Sequence, residues 1–401
     1  MYNPKQVINM KTILIRYIRC YFVYLLFFSI GMICSYLIPN SALEPRFSKS
    51  KAQIEKEELY PVYLFDTDAG IMDNCTDSLM INSCWISDAY DNIIQAAFDN
   101  NGYPRYWNGY LLTLRPFLSL FTYHQTRYIS MFIILTAFCL CFSGIQQNLN
   151  MPTAIGFAIS IIACFLVFIG ESLQYFSVFM ILFAVSFLIL YFPAFKKSEN
   201  SALLLFAAGM MTNFFDMLTA PLLTLGIPLI LVICILNETS FLKNMKHIFF
   251  HSVSWGLGYG LCWISKWALG SLILGENIFE DAMKTANFRI NGSEEIPLDR
   301  ALMFKLNIDT YFFSKGHKPA VFLIIILSIL FIFAIRYHKK NWISTALPLL
   351  SIGTFPYIWY LVFANHSQLH YFYTYRIQAI TLFAVFAAFG TSIVWKRKIL
   401  C

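Results

Sequence analysis

Apolar residues arrive in uninterrupted blocks of roughly 20, and no other feature restricts the fold of this chain so tightly. A helix of about 20 residues crosses the roughly 30 Å of hydrocarbon in a bilayer. Hydrophobic residues make up 58% of the 401, and charged residues only 13%. A soluble domain would carry about one quarter charged residues. The 40 Phe and 23 Tyr suit bilayer-facing and interfacial surfaces. The net charge of +7 comes from Lys and Arg at span ends and in loops, without a long basic run, so no nucleic-acid partner is expected.

The blocks place spans at 20–37, 128–146, 153–170, 174–194, 202–218, 219–236, 248–275, 319–337, 342–363 and 377–395. The expected fold is therefore an all-α polytopic membrane protein of about ten transmembrane helices. Five segments follow. Residues 1–38 form an N-terminus and first span, and 39–127 a large outer loop. Residues 128–275 hold spans two to seven, 276–318 a second outer loop, and 319–401 the last spans and a basic tail. Lys5, Lys11, Arg16 and Arg19 precede the first span, whose apolar run is long for a cleaved signal peptide, so an anchor is expected. Splitting 202–236 at Asn213, Asp216 and Pro221 puts Lys196–Lys197, Lys243–Lys246, Arg336 with Lys339–Lys340, and Lys396-Arg397-Lys398 on the same side. Both termini are then cytoplasmic. Of the ten cysteines, Cys34, Cys139, Cys141, Cys164, Cys234 and Cys262 read as small core hydrophobes inside the spans. Cys75 and Cys84 share the first loop and would pair if it faces an oxidising compartment.

On this layout Asp66, Asp68, Asp73, Asp77, Glu171, Asp216, Arg289, His366, His370 and Arg376 all fall at the outer face. Charge at bilayer depth or at span ends is costly, so it tends to mark function. In the first loop, Asp66-Thr67-Asp68, Asp73 and Asp77 have the spacing of a general base or of ligands to a divalent cation such as Mg or Mn. The plainer reading is a solvated acidic loop. The stretch Tyr103–Tyr123, with Arg105 and Arg115, is expected as one or two helices lying in the interface. Asp216 either pairs or reaches water, or it caps a helix starting near Thr219 with Pro221 in its first turn. Glu171 reads as a turn residue. Lys266 sits about ten residues inside its span, roughly 15 Å deep. It is expected to face a cavity beside a phosphate or carboxylate; the alternative is snorkelling between Trp263 and Trp267. His366 and His370 share a helical face. The HExxH glutamate is missing, Ser367 standing in that stretch, so anion binding with Arg376 is expected rather than zinc. An aromatic belt with incidental polar residues is the alternative. Arg289 lies on a segment expected to hold an amphipathic helix. Gly256-Leu257-Gly258-Tyr259-Gly260 lies within a span and reads as helix packing, not as a nucleotide loop.

A first span followed by a large outer loop carrying Asp66-Thr67-Asp68, Asp73 and Asp77, the stretch Tyr103-Pro104-Arg105-Tyr106-Trp107, and an outer Arg376 with His366 and His370 resembles the GT-C glycosyltransferase superfamily. That resemblance implies an extracytoplasmic active site, a polyprenyl-phosphate sugar donor and a glycan or lipid acceptor. One of Asp66, Asp68, Asp73 and Asp77 would then be the base, with Asp216 orienting it. Lys266, Arg289, His366, His370 and Arg376 would hold the donor phosphate. Two other readings stand beside it. A transporter or flippase would need polar residues at the midplane, where the chain offers essentially Lys266, and no internal repeat is visible. A polysaccharide polymerase or ligase would use basic residues of the 276–318 loop.

Overall fold

The computed structural model describes residues 10–63, 68–313 and 342–392. Asp66, the span 319–337, Lys5, Arg336, Lys339, Lys340 and the tail 396–398 lie outside the described residues. Among the described residues helices dominate, and the only extended pairings are the isolated bridges Val62–Ile71 and Gly292–Pro297. Six helical stretches among the described residues are long and apolar enough to cross a bilayer: Met10–Tyr36, Tyr123–Asn148, Leu173–Tyr191, Phe241–Leu274, Ile343–Val362 and Tyr371–Ser392. The chain is an all-helical membrane protein.

Helices α1 (Met10–Tyr36), α2 (Asn40–Ile54), α3 (Asn74–Asn82), α4 (Ile93–Asp99) and α5 (Leu111–Leu120) form an N-terminal layer. Its core gathers Phe28, Met32, Ile81, Phe98, Trp107 and Leu111. The outer side of α1, with Phe22, Val23, Leu26 and Phe27, stays exposed, as a lipid-facing helix requires. Next come α6 (Tyr123–Asn148), α7 (Met151–Ile162), α8 (Leu166–Glu171), α9 (Leu173–Tyr191), α10 (Ser198–Phe215), α11 (Leu223–Leu236) and α12 (Phe241–Leu274). Side-chain caps set several starts. Thr122 and Gln125 form a reciprocal capping box on α6, and Asn150 accepts from Thr153 N–H at α7. The expected 153–170 span is broken at Phe165, whose φ is +58°. After α13 (Ile278–Asn291) and α14 (Arg300–Ile308), the described chain resumes with α15 (Leu347–Ile352), α16 (Phe355–Val362), α17 (Ala364–Leu369), α18 (Tyr371–Thr374) and α19 (Ala379–Ser392). The second core packs α6, α7, α9, α11 and α19 around residues such as Phe157, Phe183, Leu229 and Phe383.

Helix α10 joins the two layers. Phe214 stacks on Phe28 at 3.9 Å, and its carbonyl accepts from Gly109 N–H at 2.9 Å. Of the stretch Tyr103–Tyr123, expected as one or two interfacial helices, Leu111–Leu120 is helical and Tyr103–Tyr110 is not. Tyr106, Trp107, Asn108 and Gly109 are buried as a non-helical turn against α10 and α12, where Trp107 Nε1 donates to the Cys262 carbonyl at 3.0 Å. Only α5, after it, is helical. Cys75 and Cys84 are both free. Cys75 lies in the first turn of α3 and Cys84 just past its end, about 13 Å apart along its axis, whereas a disulfide needs Cα atoms within about 7 Å.

Small residues let α10 and α12 meet at backbone distance. A Cβ at Gly209 would sit 2.1 Å from the Trp255 carbonyl oxygen, and one at Gly258 would sit 2.0 Å from that of Phe206. Gly256 and Gly260 have open space beside them, so of the glycine run only Gly258 makes the contact. A Gly258→Val substitution should therefore destabilise the protein by about 1–3 kcal/mol, while Gly256→Ala should not. Thermal unfolding of the two variants in detergent checks this. Equal melting would contradict the packing.

Candidate anion-binding site

Two of the candidate acids serve the fold. Asp77 is fully buried. Its carboxylate accepts from the Tyr123 hydroxyl at 2.7 Å, Ser172 Oγ at 3.1 Å, Leu173 N–H at 3.0 Å and Gln174 N–H at 3.1 Å. It thus answers the unpaired donors at the start of the spanning helix α9 and complements that helix's dipole. Burial pushes its carboxyl up from the usual range, and the Tyr123 bond opposes that. Arg127 closes the network, donating to Glu57 at 2.9 Å and to the Glu171 carbonyl at 2.7 Å. Glu171, the last residue of α8, meets Arg127 through this carbonyl and, at 3.9 Å, through its carboxylate. Asp73 caps α3, accepting from Thr76 N–H at 2.9 Å and Thr76 Oγ1 at 2.7 Å. Burial raises its carboxyl as well. Asp68 is different: it is exposed and lies beside Tyr371.

Two expected phosphate ligands are turned inward. Lys266 Nζ donates to the Phe98 carbonyl at 2.6 Å and sits over the Phe98 and Trp107 rings. The expected phosphate or carboxylate partner is replaced by a backbone carbonyl. Arg376 is likewise buried, donating to the Cys164 and Phe372 carbonyls at 3.1 Å each, with Tyr175 and Tyr375 over its guanidinium. Arg115, which drew no functional reading from the sequence, donates to the Ser35, Ile38 and Cys84 carbonyls. A buried cation must be hydrogen-bonded, and carbonyls left over at helix ends are the nearest acceptors.

Arg289, His366 and His370 do come together. Helix α13 is amphipathic, burying Ile278 and Ala282 while Glu280, Asp281 and Lys284 face out. Its last turn carries Arg289, which reaches α17. Arg289 Nη1 lies 2.5 Å from His366 Nδ1, and His366 Nε2 donates to the Leu218 carbonyl at 2.9 Å. That bond makes Nε2 the protonated nitrogen, leaving Nδ1 to accept from arginine. Asp216 shapes the carbonyl's position. Its two oxygens accept from Thr219 N–H at 3.1 and 3.0 Å, closing a turn in which Leu218 adopts φ +71°. Asp216 therefore closes the turn before α11 and positions His366 indirectly. His370 stacks on Tyr373 at 5.0 Å.

These residues line a cleft of about 370 Å³ with Arg105, Lys284, Thr285, Phe288, Asn365 and Leu369. Arg105 is paired with Asp281 at 3.0 Å and Lys284 with Glu280 at 2.7 Å. Arg289 has no ion pair among the described residues, and its Nε is buried without a hydrogen-bond partner. Burial, then Arg289, hold both histidines neutral: His366 lies well below the usual imidazole value, and His370 is lowered to about 4. Arg289 therefore faces the cleft as a cation with no acidic counter-charge among the described residues. Among the described residues no three His, Cys, Asp or Glu side chains converge to hold a metal ion, so a Mg or Mn site is not formed by them. Arg105 and Lys284 join the site only because α13 folds beside the Tyr103–Tyr110 turn; in the sequence, the clustering of Lys284 and Arg289 on one amphipathic helix is the signal that points to it.

Comparison with family models, with curated proteins and with solved structures returns no match to the chain.

Two outcomes follow. Asp77→Ala strands four donors and should cost about 3–5 kcal/mol, seen as a lowered melting temperature of purified protein; an Asp77→Ala protein of normal stability would contradict the structural role. Because both histidines stay neutral, sulfate affinity measured calorimetrically should be flat between about pH 8 and about pH 5.5. A steep gain on acidification would mean that a cleft histidine charges in that window.

Proposed function

We propose that the chain is an integral membrane glycosyltransferase. It takes a sugar from a polyprenyl-phosphate donor and passes it to an extracytoplasmic glycan or lipid acceptor. In this reading about ten helices cross the bilayer, both termini are cytoplasmic, and the Arg289 cleft opens at the outer face. The observation that carries it is the arginine without an acidic partner, its Nε unsatisfied, in a cleft shared with Arg105 and Lys284. A guanidinium matches phosphate oxygens in paired hydrogen bonds. The exposed Phe279 and Met283 on α13 suit a site reached from lipid.

The chemistry then runs as an inverting displacement. The acceptor hydroxyl oxygen attacks the anomeric carbon as the bond from that carbon to the phosphate oxygen breaks. The phosphate leaves with the electron pair, and Arg289 stabilises its charge. A carboxylate takes the hydroxyl proton. Asp68 suits this role best among the described first-loop candidates. Asp73 and Asp77 are engaged as caps, whereas Asp68 is exposed beside Tyr371, the residue after His370. Asp66, two positions earlier, lies outside the described residues and is the companion candidate. The acceptor end of the transfer is thus assigned to the first loop and the donor end to α13 and α17.

One observation favours a second reading. Both Lys284 and Arg289 come from the late outer segment, where a polysaccharide polymerase or ligase acting on pyrophosphate-linked glycans would carry its basic residues. The donor separates the two.

The test is consumption of defined polyprenyl-phosphate and polyprenyl-pyrophosphate sugars by the full chain in nanodiscs. Arg289→Gln should lower turnover by about 100-fold, and Asp68→Asn should lower it comparably without weakening donor binding. Full activity in Arg289→Gln would remove the cleft from the reaction. Use of pyrophosphate-linked glycans alone would favour the polymerase.

A further inference from the structure

A second cleft, of about 820 Å³, opens on the first loop and shares no residue with the cationic one. Its wall carries three aromatic side chains, Phe47, Trp85 and Tyr90, each partly exposed. Phe47 and Trp85 lie 5.0 Å apart with their planes 35° from parallel, making a continuous apolar surface. Around them stand polar groups that both donate and accept: Asn82, Ser87, Asn101, Asp88 and Lys51.

The loop beside it is held in a costly shape. Asn100, Asn101 and Gly102 have φ of +51°, +56° and +81° in succession. Left-handed backbone is unfavourable for side-chain-bearing residues, and such strain persists where surrounding contacts impose it. Asp99 and Tyr90 impose it here. The Tyr90 hydroxyl donates to Asp99 and accepts from Asn101 N–H at 2.6 Å, while Asp99 also accepts from Gly102 N–H at 2.7 Å. Asn101 Nδ2 donates to the Trp85 carbonyl at 3.0 Å, which fixes the strained loop against the aromatic wall. The walls are thus set before any ligand arrives, which lowers the cost of binding.

We propose that this cleft binds a neutral oligosaccharide. A pyranose ring has one face of C–H groups, which packs on aromatic rings, and a rim of hydroxyls, which amides and carboxylates satisfy. The volume lies within the range of small-molecule sites, about 300–1,000 Å³, and suits roughly two or three sugar rings. An acyl chain would strand the polar rim, and a phosphorylated ligand would meet Asp88 and Asp99 against a single Lys51. The inference does not depend on the transfer chemistry: a bound glycan would be an acceptor under that reading and a recognised envelope component without it.

Calorimetric titration of the full chain in nanodiscs with neutral trisaccharides in gluco, manno, galacto and N-acetylglucosamine configurations is the test. At least one should bind. Trp85→Leu should weaken it by about tenfold or more, and Trp85→Phe should restore part of the loss. Asn101→Ala should weaken it too, guarding against misfolding of the tryptophan variant. Arg289→Gln should leave glycan affinity unchanged. Absence of binding by every trisaccharide up to about 20 mM, or affinity untouched in both Trp85→Leu and Asn101→Ala, would overturn the proposal. Glycan binding without donor consumption would retain this cleft and sink the transferase; donor consumption without glycan binding would do the reverse.

Discussion

The buried carboxylate of Asp77 is the contact on which the docking of the first loop against the helix bundle depends. The first donors of a helix have no partner inside it, and at the start of α9 they are shielded from water. Asp77 accepts two of these backbone N–H groups together with the Ser172 and Tyr123 hydroxyls. It comes from the first loop, so satisfying α9 docks that loop on the bundle. Arg127 extends the same network to Glu57 and to the Glu171 carbonyl, drawing α6, the loop and the α8–α9 turn together. Removing one member of such a cluster leaves the others buried and unpaired, which is why it acts as one unit.

Buried cations elsewhere follow a related rule. Arg115, Lys266 and Arg376 all donate to backbone carbonyls and contact aromatic faces. Each finds its acceptor at a chain break or helix end. They fasten segments far apart in the sequence, α4 to α12 through Lys266 and the α7–α8 break to α18 through Arg376. Arg289 stands apart from them. Its nearest partner is a neutral histidine that already donates to Leu218, and its Nε finds no acceptor. Arg376 Nη2 also lacks an acceptor, but that guanidinium is fully buried beside Tyr175 and Tyr375 and donates to two carbonyls, whereas Arg289 lines an open cleft.

The six long apolar stretches among the described residues were legible because hydrophobic block length is a local property, and the amphipathic character of α13 was legible for the same reason. The close approach of α10 and α12 was half legible: the glycine run announced packing, but only the helix rotation decided that Gly258 rather than Gly256 or Gly260 meets Phe206. The acids of the first loop were legible as a group and not as individuals. Capping, exposure and burial divide Asp73, Asp68 and Asp77, and these depend on where α3 starts and what α9 needs. The turn at Tyr103–Tyr110 was misread as interfacial because its aromatic and arginine content matches a membrane surface as well as it matches a buried wedge.

Taken alone, the sequence determined that this is a helical protein of the membrane and that its charges gather in a few segments; of the cysteines expected in the core, Cys141, Cys164, Cys234 and Cys262 are buried, whereas Cys34 and Cys139 lie exposed on the outside of the bundle. Hydrocarbon imposes the first two outcomes residue by residue, through the cost of each exposed polar group. Only the tertiary structure decided which charges are consumed by the fold and which are left for a ligand. The partner of a buried cation or carboxylate is a carbonyl, an amide or a ring supplied by another segment, and its identity exists only once the helices have packed.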